Sequence, residues 1–111
     1  MPEDTPLLDT LAAMTAASIE ECDLPPRELM LARIAALAAV DAPPASYLAN
    51  AGTASDVGIT LEDVQGVLIA VAPIVGTART VSAAGNLARA LGFAIAAITA
   101  EIEAELDAET D

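Results

Sequence analysis

Three groups of side chains in this sequence have the types and spacing for chemistry. The first is Glu28, shortly after the Pro25–Pro26 pair. Buried, such a carboxylate acquires a raised pKa and serves as a general base. Left at a helix start, it is a first-turn acid favoured by the helix dipole. The second is Arg79, Ser82, Asn86 and Arg89, whose spacing of three, four and three sets them on one helical face. Arginines so placed grip a small carboxylate through the guanidinium fork. Read structurally, they pair instead with Glu28, Asp41 or Glu62 across a subunit boundary, because a buried arginine needs an acid. The third is Tyr47 with Asn50, one turn apart. They can orient a ligand, but neither is a good base at neutral pH; core or interface packing is the alternative.

The chain has no histidine and one cysteine, Cys22. It therefore has no histidine proton relay and no internal disulfide. Cys22 lies among Glu20, Glu21 and Asp23, acids that disfavour a thiolate, so it reads as a small apolar residue near a helix end. No phosphate-binding glycine loop, dinucleotide fingerprint or metal-ligand cluster occurs, and no cofactor is expected.

The elements that position these residues are helices. Thr5–Pro6 opens the first, with Leu8, Leu11, Thr15, Ser18, Ile19 and Cys22 roughly on one face. Leu24-Pro25-Pro26 breaks the chain and starts a second helix reaching about Val40. Asp41-Ala42-Pro43-Pro44 is a second break, from which Pro44 opens a third helix. Gly58 suits a left-handed position after its end. Thr60-Leu61-Glu62-Asp63 predicts an N-cap with acids in the first turn. The fourth helix continues through Val71, and Pro73 ends or kinks it. A fifth covers about 76–91, and Gly92 either ends it or bends it into a last helix from Phe93 to about Asp107. Acids at that helix's C-terminus oppose the dipole, so its last turn should fray. Leu91, Ile95, Ile98, Ile102 and Leu106 form an apolar stripe on it, suited to core or partner. The acidic run from Glu101 to Asp111 reads as a solvated tail, with hard cations as the weaker alternative.

Composition bounds the rest. The 111 residues are 55% hydrophobic, with one Phe, one Tyr and no Trp. An apolar content built on Ala, Leu, Ile and Val favours packed helices over sheets. Mean hydropathy is +0.56, more apolar surface than one small core hides. From Val64 to Ala100 the only charges are Arg79 and Arg89, and a helix so apolar is expected to be covered on more than one side. A second subunit is the expected cover. The net charge of −13, with four Arg and no Lys, excludes a basic nucleic-acid footprint and disfavours an anionic membrane surface. The uncharged run 64–78, interrupted by Pro73 and Gly76, is too short to span a bilayer. The start lacks a basic leader-like segment, which points to the cytoplasm.

Pro26-Arg27-Glu28-Leu29 before an alanine-rich helix, then Gly58-Ile59-Thr60-Leu61-Glu62-Asp63-Val64, then Val67 to Ala72 with Gly76, resembles the carboxymuconolactone decarboxylase family in order and spacing. The resemblance covers about 24–92, with 1–23 as an N-terminal helix and 93–111 as a C-terminal helix and acidic tail of one domain. It implies an alkylhydroperoxidase D-like all-α bundle of five to six helices, assembled as dimers or trimers of dimers. The redox branch of that family carries C-x-x-C-x-x-x-H after a glutamate that Glu28 matches. Counting from Glu28 sets that motif on Val40, Pro43 and Tyr47; counting back from Gly58 sets it on Pro43, Ser46 and Asn50. Neither register supplies Cys or His, so peroxidase and disulfide-reductase chemistry are excluded.

These readings converge on a non-redox homo-oligomeric subunit, structural or small-ligand-binding. The alternative is a decarboxylase- or lactone-type enzyme with Glu28 as base and Arg79 as anion clamp. A closed polar pocket joining Glu28, Tyr47 or Asn50 and Arg79 would favour the enzyme.

Overall fold

The computed structural model describes residues 5–110; Asp111, the last acid of the expected tail, lies outside the described residues. Five helices follow one another: α1 (Pro6–Glu21), α2 (Pro26–Ala39), α3 (Pro44–Asp56), α4 (Leu61–Val75) and α5 (Thr77–Thr110). There is no strand among the described residues, so the chain is all-α.

Proline opens three of the helices. Pro6, Pro26 and Pro44 stand at the first helical positions, where an N–H would have no intrahelical acceptor. Thr60 opens α4 as the expected N-cap and closes a capping box: its hydroxyl accepts from the Asp63 amide at 3.1 Å, and the Asp63 carboxylate accepts from the Thr60 amide at 2.9 Å.

The ends of α2 and α3 share one closing motif. After α3, the Gly58 amide donates to Ser55 and the Ile59 amide to Ala54, at 3.1 and 2.9 Å. Gly58 takes φ +80° there, as its position after the helix predicts. After α2, the Asp41 amide donates to Ala38 and the Ala42 amide to Leu37, at 3.3 and 3.0 Å. The left-handed residue is here an aspartate, Asp41, at φ +56°. Short polar side chains tolerate this region better than most.

Two boundaries differ from the sequence reading. Helix α4 runs past Pro73 to Val75, because a proline in the last turn removes only one interior hydrogen bond. Gly92 neither ends nor splits the final helix: α5 is one helix of 34 residues, so the described residues form five helices and not six. A glycine inside a helix costs only about 1 kcal/mol, and Ala, Leu and Glu on either side repay it. The same formers carry the helix to Thr110, past the expected end near Asp107. As one element, α5 is also long and apolar enough to cross a membrane by length and composition, which the separate segments were not.

The core is small. Met30, Ile34 and Ala38, four residues apart on α2, are buried. Ala42, Tyr47 and Ala90 form a second buried cluster, with Leu37, Leu48 and Leu87 against it. Helix α2 packs on α3, α4 and α5, and α5 on α3 and α4. Two parts stay outside this core. Helix α1 buries no residue and packs on no other helix to a comparable extent. The outer part of α5 carries Ile95, Ile98, Ile102 and Leu106, all more than half exposed. The molecule measures 55 × 34 × 28 Å, a length close to the roughly 51 Å of a 34-residue helix. Within 64–100, Ile69, Ile74 and Val81 are exposed in the single subunit, so no other element of the same subunit covers those side chains.

Candidate functional site

Helices α3 and α4 both pack on α2 and α5 but scarcely on each other. The space left is a groove of about 530 Å³. Ile34 and Leu37 of α2 line it, with Leu48 and Ala51 of α3, Val64 and Leu68 of α4, and Ala84, Leu87, Ala88 and Leu91 of α5. Polar lining comes from Tyr47, Asn50, Ser55, Thr60 and Gln65. No Asp, Glu, Lys or Arg stands among the lining residues, so the wall offers no group that exchanges a proton near neutral pH.

Tyr47 is buried, and its hydroxyl has no hydrogen-bond partner among the described residues. Burial pushes the phenol pKa up, and the nearby Asp41 charge adds to it. It stays a neutral phenol at physiological pH. Asn50 is held by its neighbours: its amide donates to the Ser46 carbonyl at 2.9 Å and accepts from Arg33 at 3.4 Å. Arg33 also donates to the Ser18 hydroxyl at 3.1 Å, tying α1 to α2.

The expected anion stripe does other work. Arg79 donates to the Ala39 carbonyl at 2.7 Å, and Asn86 to the Ala42 carbonyl at 3.0 Å. The Ser82 hydroxyl donates to the Asp41 carboxylate, and Arg89 donates to Asn86 at 3.0 Å. Three of the four therefore clasp the 39–42 turn, whose closing motif leaves carbonyls free to accept. Within the subunit, Arg79 is thus held by a backbone carbonyl and Arg89 by the Asn86 side-chain amide oxygen. None of Arg79, Ser82 or Asn86 lines the groove. Glu28 is exposed on the first turn of α2 and is also outside the groove. The structure thus brings Tyr47 and Asn50 to one cavity and keeps Glu28, Arg79, Ser82 and Asn86 away from it.

Sequence reasoning gave no sign of the Arg27–Asp63 brace. Arg27 meets both oxygens of Asp63 at 2.8 and 3.1 Å and the Gly58 carbonyl at 3.2 Å. The fork joins the start of α2 to the turn entering α4. The hydrogen bond from Arg27, then that from the Thr60 amide, holds the Asp63 carboxyl well below the usual carboxylate range. Asp63 was legible as a helix-start acid, but nothing in the spacing links it to an arginine 36 residues away. Among the described residues, no three His, Cys, Asp or Glu gather to hold a metal.

No family model, curated protein or solved structure matches this chain.

Proposed function

We propose that this chain is a non-redox, self-associating helical subunit, a divergent relative of the carboxymuconolactone decarboxylase family, acting as a structural or apolar-ligand-binding protein. One observation carries the reading: the subunit leaves an apolar groove and the apolar faces of α1 and α5 open at once. Burying apolar surface yields roughly 25 cal/mol per Å², so a chain with this much uncovered gains by association.

The groove supports binding over catalysis. Its lining has no carboxylate and no basic side chain, Glu28 stands apart from it, and the arginine stripe is engaged elsewhere. Protein is a better cover for α5 than lipid. Every eighteen-residue stretch of α5 with no more than two charges contains Arg89, and an arginine at the centre of a spanning helix costs about 2.5–3.5 kcal/mol.

Light scattering tests the reading. A mass of at least two subunits is expected at tens of micromolar protein. A well-folded single subunit at 100 micromolar would reject it.

A further inference from the structure

Ala84, Ala88, Leu91, Ile95, Ile98 and Ile102 recur along α5 at spacings of four, three, four, three and four. That is the alternation of a helix seam that packs against another helix. The first half of the seam differs from the second. Ala84, Ala88 and Leu91 line the groove and are small or only partly covered. Ile95, Ile98 and Ile102 lie beyond the groove and are 55, 56 and 52% exposed. One half is a recess floored by small residues; the other is a row of uncovered isoleucines.

We infer that α5 pairs antiparallel with α5 of a second copy about a two-fold axis near residue 93, each copy's Ile98 and Ile102 entering the other's groove. This rests on the self-association proposed above and names its surface. In this register Ala84 meets Ile102 of the partner subunit, Ala88 meets Ile98 of the partner subunit, and Leu91 meets Ile95 of the partner subunit. Small faces large at the two outer layers, the complementarity that close packing needs. The pairing is isologous and closes on itself.

Charge selects the direction and the partner. Glu101, Glu103 and Glu105 follow the seam with no base among them. A parallel pair would set these acids beside their own copies. The antiparallel pair sets them beside 81–85, a stretch with no acid of its own and flanked by Arg79 and Arg89, in which Ser82 bonds the Asp41 carboxylate. Gly92 stands next to the proposed axis, and a Cβ built there meets nothing in its own subunit. Its lack of a side chain serves no internal contact and permits close approach of a second backbone.

The double variant Ile98→Asp/Ile102→Asp is the test. Neither side chain is buried, so helicity by circular dichroism should hold while the mass falls to one subunit. A wild-type monomer would reject both this pairing and the self-association beneath it. A double variant that stays associated would reject the pairing alone. Direction is read in a Cys22→Ser background. An oxidised mixture of Ala88→Cys and Ile98→Cys chains should give the mixed disulfide dimer. The Ile98→Cys chain alone should give none, since antiparallel copies of residue 98 lie about 15 Å apart along the axis, beyond disulfide reach. A disulfide dimer of Ile98→Cys alone would overturn the antiparallel arrangement.

Discussion

Helix α2 and the outer part of α5 carry much the same pattern with opposite outcomes. Met30, Ile34 and Ala38 repeat every four residues and are at most 5% exposed. Leu91, Ile95, Ile98, Ile102 and Leu106 repeat every three or four and remain 41–56% exposed. Helix α2 has α3, α4 and α5 around it, whereas the outer part of α5 extends beyond the others. Periodicity identifies which face of a helix is apolar. It does not say what covers that face.

The contrast breaks most visibly on truncation. Met30→Ala should cost about 2–5 kcal/mol, the range for a fully buried side chain, as measured by urea denaturation. That loss should be similar at all protein concentrations. Ile98→Ala should instead show a loss that shrinks on dilution, because its partner atoms belong to another molecule. Equal and concentration-independent losses would erase the distinction.

Helix starts sharpen the same comparison. Thr60→Ala removes the capping box of packed α4 and should cost about 1 kcal/mol. Thr5→Ala should cost much less in the same thermal melt, because Thr5 makes no side-chain cap bond at the start of α1 and that helix buries nothing. Within the packed part, Tyr47→Phe should be neutral to stabilising by about 1 kcal/mol. It deletes a buried hydroxyl without a partner and keeps the ring in the core. A marked loss of stability would show that the phenol has a partner after all.

The smallest expected effect is in acid. Asp63 has a folded pKa below its unfolded value of about 3.9. Its contribution is therefore complete above that value and is lost as pH falls through the folded one. Unfolding midpoints should decline below about pH 4, and Asp63→Asn should flatten that decline.

Much of the fold was legible because its punctuation is local. Three prolines, the Thr60–Asp63 box and Gly58 act through their own turn, and each stands where the sequence predicts. The joins around Pro73 and Gly92 were not, because a breaker's effect depends on whether the surroundings need a break. The candidate site was half legible. Tyr47 and Asn50 fall on the groove wall, as one turn of one helix dictates. The groove itself follows from α3 and α4 failing to meet, which no spacing records. The Arg79–Arg89 stripe was read as one face, but Arg79 and Asn86 find their acceptors in carbonyls of the Asp41 turn and Ser82 in the Asp41 carboxylate, invisible until that turn closes.

The connections between helices are one to four residues long. Among the described residues, connections this short leave no loop long enough to fold over a guest. The groove wall is built almost wholly from helix faces, so its shape changes most directly by exchanging side chains on those faces.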